Sequence, residues 1–124
     1  MKQILIEIEE MQAFLEITTS EKPEELVQRL SDLNVYLARS GKLLADMIEM
    51  QDKATALVFD EKKTYIAGLS TTLAKKFVES QTAEINGLVK WLDRINSTCS
   101  HQSANIRTQI SFAKENLRLT KSGY

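Results

Sequence analysis

The sequence predicts an all-α protein: an elongated antiparallel hairpin of two long amphipathic helices plus a short N-terminal helix, with coiled-coil-like packing. Apolar residues recur at helical spacing along almost the whole chain. One proline and four glycines in 124 residues are too few for an all-β sandwich or a linker-rich protein. Signals that break helices cluster at residues 18–23 and 60–70. We therefore expect one domain, 1–124, with helices at approximately 3–17, 23–66 and 70–119.

The first helix is predicted from the spacing of apolar residues by four, three and four positions, at Ile4, Ile8, Met11 and Leu15. Ile4, Ile6 and Ile8 also alternate as they would in a strand. The helical pattern explains more of the segment, because it places Phe14 beside the same face.

The second helix begins after a stretch of hydroxyl and acidic residues. Thr or Ser side chains at 18–20 can cap it, and Pro23 suits its first turn. Glu24 and Glu25 favour the positive end of the helix dipole. Two polar residues, Ser40 and Gln51, fix the register of its seam, leave room for close approach of a neighbouring helix, or are tolerated imperfections. The seam has heptad spacing: Leu30, Leu33, Leu37, Ser40, Leu44, Met47, Gln51, Ala54 and Val58.

The third helix follows a reversal in which Gly68 can adopt a left-handed conformation and Ser70 can cap the next turn. Its apolar positions recur every eleven residues, which keeps them on one face of a nearly straight helix. Fifty residues would form a rod of roughly 70 Å, longer than a compact domain of this size. We predict a self-association seam along it at Leu73, Phe77, Leu88, Trp91, Ile95, Ile106 and Ile110.

The two long helices bury only one face each as a pair, so the first helix or a second subunit must cover the rest. We therefore expect a homo-oligomer, together with other protein partners.

Charge is distributed unevenly although the net charge is only −1. Residues 1–60 carry twelve acidic and six basic side chains, whereas residues 61–124 carry five and ten. Either the two halves attract each other, or the basic half binds nucleic acid or an acidic partner. Arg107, Lys114, Arg118 and Lys121 are spaced to share one helix face and form the candidate surface, hereafter the basic row.

Side chains for catalysis are sparse. His101 has no carboxylate three or four residues away, and Cys99, two residues from it, points to another helix face. Cys99 is predicted to be a core residue and Glu84 a carboxylate at the rim of the seam. Phosphate-loop and zinc motifs are lacking, so we expect neither an enzyme nor a cofactor or metal.

No apolar run is long enough to cross a bilayer, and acidic residues interrupt the N-terminal apolar stretch. These features, with a single cysteine, predict a cytoplasmic protein without membrane contact.

The layout resembles that of small helical phage and prophage proteins encoded beside recombination genes, and of the recombination mediators of T4-like phages. The similarity covers residues 25–119 as a helix pattern. It rests on Tyr36-Leu37-Ala38 and Leu43-Leu44 in the central helix. In the last helix it rests on 91–96 (WLDRIN), 101–102 (HQ), 106–111 (IRTQIS) and 114–115 (KE). It implies ring-shaped helical oligomers that load a recombinase onto single-stranded DNA, and it assigns no individual DNA-contacting residue.

The sequence thus predicts a non-catalytic helical interaction or assembly protein, which the resemblance makes an accessory of recombination or DNA processing. The alternative is a structural scaffold or adaptor with protein partners only.

Overall fold

A computed structural model describes residues 1–122, and all of its regular structure is helical. The helices are α1 (Lys2–Leu15), α2 (Pro23–Glu61), α3 (Lys63–Ala67), α4 (Thr71–Gln81) and α5 (Ala83–Ser122). No helix within 1–122 is both long and apolar enough to cross a membrane.

Helices α2 and α5 form the predicted antiparallel hairpin. Arg29, Ser40 and Gln51 of α2 bond to progressively earlier residues of α5, namely Gln102, Asn96 and Asn86. Every residue predicted for the seam of α2 is buried or half-buried. The buried apolar residues that face one another across this pair are Leu26, Leu33, Leu43, Met47, Leu92, Ile95, Cys99 and Ile106.

Helix α1 covers one side of the hairpin as a third bundle helix. Its buried face consists of Ile8, Met11 and Leu15, at the spacing predicted from the sequence. Trp91 Nε1 donates to Gln12 Oε1 at 3.0 Å, and Gln102 Nε2 donates to the Leu15 carbonyl at 3.0 Å. Because these contacts follow the same order in both helices, α1 runs parallel to α5.

Three polar layers cross the hairpin, and their α2 members lie eleven residues apart. Arg29 Nη2 donates to Gln102 Oε1 at 2.8 Å. Asn96 Nδ2 donates to Ser40 Oγ at 3.0 Å, and Gln51 Nε2 donates to Asn86 Oδ1 at 2.7 Å. The polar seam positions Ser40 and Gln51 therefore each have a partner, which supports a role in fixing register.

The predicted single helix over 70–119 is wrong in one respect, because it is divided at Thr82 into α4 and α5. Thr82 has φ −112° and ψ 18°. Its hydroxyl donates to the Val78 carbonyl at 3.2 Å and accepts from Asn86 Nδ2 at 3.0 Å. A threonine hydroxyl bonded to the carbonyl four residues earlier often bends a helix. The same bond at Thr108 and Thr120 leaves α5 unbroken, so the additional bond from Asn86 distinguishes Thr82.

Several predicted helix ends also need correction. Helix α2 ends at Glu61 rather than near residue 66, and Lys62 (φ −112°, ψ 21°) separates it from α3. Gly68 is right-handed, with φ −83°, so the left-handed cap is wrong. The Ser70 cap is confirmed, since its hydroxyl accepts from the Leu73 amide at 3.3 Å. At the start of α2 the N-cap is Lys22 rather than a hydroxyl residue.

Candidate interaction surfaces

Helix α5 continues past the end of the three-helix bundle. Gln102 contacts both Arg29 and the last residue of α1, Leu15, so Pro23 at the start of α2 lies opposite about residue 110. The stretch 111–122, hereafter the α5 overhang, has neither α1 nor α2 beside it. At 1.5 Å per residue, the overhang is about 18 Å long.

The α5 overhang exposes large apolar side chains on two opposite sides. Leu117 lies eleven residues after Ile106, on the same helix line. Ile106 is buried against the bundle, whereas Leu117 is 58% exposed. Phe112 and Leu119 lie on the opposite side and are 66% and 52% exposed. The line of apolar residues that contributes to the core thus continues along α5 beyond the part that α1 and α2 of the described chain cover.

The basic row runs along α5 beside the Leu117 line, and its four members are exposed. Arg118 forms an ion pair with Glu115, with two hydrogen bonds between the side chains. These bonds, chiefly, raise the pKa of the Arg118 guanidinium. The row therefore carries four positive charges, of which one is paired with a carboxylate.

An acidic cluster lies at the base of the overhang, where α1 joins α2. We define the cluster as Glu16, Glu21, Glu24 and Glu25, all of which are exposed. Within residues 1–122, none of these carboxylates forms an ion pair with Arg107, Lys114 or Lys121. Opposite charges therefore occur at the same end of the bundle without neutralising each other by direct contact.

The residues predicted for a self-association seam have divergent environments. Ile95 and Ile106 are 1% exposed and pack inside the chain's own core. Leu88, Trp91 and Ile110 are half-buried beside that core. Phe77 packs edge-to-face on Tyr65, with ring centroids 4.8 Å apart, and Leu73 is largely exposed. The members of this set other than Ile95 and Ile106 are therefore at least partly accessible. Self-association through them stays a prediction.

A groove of about 1210 Å³ opens at the hairpin end of the molecule, between α2 on one side and α4 and the start of α5 on the other. Charged residues at its edge are Asp52, Lys75, Glu79 and Lys90. Sequence reasoning missed this groove, because it depends on the division of the third helix at Thr82. The apolar residues lining it are Phe59, Ile66, Ala67, Leu69, Ala74, Val78, Ala83 and Val89.

Reactive side chains do not converge in the described part of the chain. Cys99 is fully buried, as predicted; burial raises the pKa of its thiol, and the nearby charge of Arg29 partly opposes this rise. His101 and Glu84 are exposed. Residues 1–122 hold no group of three or more His, Cys, Asp or Glu side chains that could bind a metal ion.

Comparison of the chain with protein-family models, curated proteins and solved structures returned no match. The resemblance to phage recombination mediators therefore stays a prediction.

Proposed function

We propose that the protein is a non-catalytic helical assembly protein, which works by packing its helices against further protein chains. The observation that carries this proposal is the continuation of the core line of α5 beyond its own bundle. Leu117 lies on the same side of α5 as the buried Ile106, yet its side chain is mostly exposed. Burial of such a side chain against a second helix would contribute about 1.5–3 kcal/mol.

The charge distribution supports the same proposal. Charges along an interface steer association and disfavour wrong partners, even where each pair adds little affinity. The basic row and the acidic cluster provide both signs beside the uncovered apolar line. An assembly protein needs this combination of an apolar contact and a charged rim.

Light scattering coupled to size-exclusion chromatography tests the proposal. The chain, of 14.1 kDa, is expected to show a molar mass that rises with loading concentration. A mass that stays at the monomer value at every concentration, together with turnover in a broad substrate screen, would contradict it. The scaffold or adaptor alternative is favoured instead if the chain is monomeric alone but forms a stable complex with a defined protein.

The exposed basic row supports a second candidate, an accessory function on single-stranded nucleic acid. Four cations on one helix face would give weak, salt-sensitive phosphate binding. Phe112 is the only aromatic side chain near the row within residues 1–122, so stacking on bases adds little. Fluorescence anisotropy with labelled single-stranded DNA, at low and moderate salt, measures this directly; no binding at low salt would remove the candidate.

A further inference from the structure

We propose that the partner of the α5 overhang is a second copy of this chain, bound antiparallel about a two-fold axis. This inference rests on the proposed function and specifies the surface and the partner.

The register between α2 and α5 shows where a partner helix can pack on the overhang. Because α2 begins opposite about residue 110 of α5, the twelve residues of the overhang lie where a longer α2 would have packed. A helix that continues the position of α2 along α5 runs antiparallel to α5, as α2 does. The overhang of a second copy, related by a two-fold axis, has this direction and the same length.

The periodicity of α5 selects the side of contact. Two twelve-residue overhangs that overlap fully have their two-fold axis near residues 116 and 117, which brings Leu117 beside the partner's Leu117. Ala113 and the half-buried Ile110 lie on the same side of the helix. Leu119 and Phe112 lie on the opposite side and stay outside this contact.

Charge complementarity favours a second copy over an unrelated helix. In the antiparallel arrangement, the far end of one overhang approaches the base of the other. Lys121 then lies near the first turn of the partner's α2, where Glu24 and Glu25 are exposed and form no ion pair within the described chain. The two-fold axis repeats this contact, so Lys121 of each copy lies near the partner's Glu24 and Glu25.

The size of the contact limits its strength. Stable dimers bury about 800 Å² on each partner, whereas the proposed contact is limited to one side of three helical turns and the bundle end beside it. We therefore expect a dissociation constant on the order of micromolar. The dimer should weaken with added salt, because the charged contacts are exposed.

Sedimentation velocity on matched variants tests the proposed face. Leu117→Lys should raise the dissociation constant at least about tenfold, because it places two like charges together at the two-fold axis. Leu119→Lys adds the same charge two residues away, on the opposite side, and should leave dimerisation unchanged. Both side chains are more than half exposed in the monomer, so neither substitution should affect folding. Equal weakening by both variants, or none by Leu117→Lys, would overturn the proposal.

A charge exchange tests the proposed pairing. The variant Lys121→Glu and the variant Glu24→Lys/Glu25→Lys should each dimerise more weakly than the unmodified chain. An equimolar mixture of the two should form a heterodimer, because the acidic overhang of the first variant then meets the basic bundle end of the second, while the unmodified overhang of the second meets the unmodified bundle end of the first. Failure of the mixture to associate better than the separate variants would overturn the pairing.

The failure of this inference differs from the failure of the proposed function. An oligomer that Leu117→Lys leaves intact contradicts this interface but leaves helical assembly as the function. A chain that stays monomeric, and whose basic row instead binds single-stranded DNA, contradicts both.

Discussion

The side-chain amide of Asn96 on α5 bonds to two groups of α2, donating to the Leu37 carbonyl at 3.1 Å and to the Ser40 hydroxyl at 3.0 Å. Ser40 in turn donates to the same carbonyl at 3.1 Å. This layer lies at the middle of the hairpin and faces Gly41: a Cβ built on Gly41 would lie 3.5 Å from Asn96 Nδ2, an ordinary van der Waals contact. The relationship fixes which turn of α5 meets which turn of α2.

Asn96→Ala should lower the free energy of unfolding by about 1–2 kcal/mol, because it removes two partly buried hydrogen bonds. Asn105→Ala is the matched control, since Asn105 is exposed on the same helix. The control should be neutral or slightly stabilising, by less than about 1 kcal/mol, through the higher helix propensity of alanine. Urea denaturation measures both; equal effects would mean that the Asn96 layer contributes nothing specific.

Arg29→Met should change stability by less than about 1 kcal/mol, or should increase it. Arg29 is only 8% exposed, and its guanidinium lies 4.2 Å from the centroid of the Phe14 ring. Its Nη2 bonds to Gln102, but within residues 1–122 its buried Nε has no hydrogen-bond partner and no carboxylate forms an ion pair with it. Methionine would fill similar space without a desolvated charge.

Arg29→Ala is the comparison for that prediction, since it also removes the charge but leaves a cavity. It should destabilise the protein by about 2 kcal/mol or more. If methionine proves as destabilising as alanine, the polar contacts of Arg29 stabilise the folded chain, and the expectation that the buried charge adds no net stability is wrong.

The buried thiol of Cys99 should make stability depend on alkaline pH. Burial raises its pKa in the folded chain, so the unfolded chain loses this proton first as pH rises. The contribution of the thiol is therefore complete below its ordinary pKa of about 8.5 and should decrease above that pH. Denaturation experiments from pH 7 to pH 10 compare the free energy of unfolding of the unmodified chain with that of Cys99→Ala. Above that pKa, the unmodified chain should steadily lose stability relative to the variant. A difference that is independent of pH would contradict the prediction.

Gly87→Ala should raise the free energy of unfolding by about 1 kcal/mol, the difference in helix propensity between the two residues. Gly87 lies inside α5 with a negative φ, and a Cβ built on it would meet nothing within 4 Å. Thermal denaturation followed by circular dichroism measures the change. A loss of stability would mean that this part of α5 packs more tightly than its open surroundings indicate.

The spacing of apolar residues was sufficient to predict the all-α hairpin and the buried face of α2. It also marked Ser40 and Gln51 as polar seam members, because spacing is a local property of one helix. Their partners Asn96 and Asn86 could not be predicted, since pairing depends on the register between two helices. The burial of Arg29 was missed for a related reason: it results from the cover provided by Phe14 of α1.

The helix break at Thr82 could not be predicted from the sequence for a different reason. A threonine is acceptable within a helix, and whether its hydroxyl bonds to the carbonyl four residues earlier depends on its rotamer and on its neighbours. Here Asn86 donates to that hydroxyl and stabilises the arrangement. The groove at the hairpin end follows from this local geometry, so it was missed as well.

Hydrogen exchange measures whether a second chain covers the α5 overhang. A twelve-residue helical extension without neighbours is marginally stable in water, so its amides should exchange rapidly in the monomer. We predict that protection of residues 111–122 rises with protein concentration, while protection of residues 88–106 in the bundle stays high throughout. The highest concentration should be about 1 mM, which is well above the micromolar range expected for the contact. If residues 111–122 still exchange rapidly at every concentration, no second chain covers the overhang and the proposed dimer is wrong.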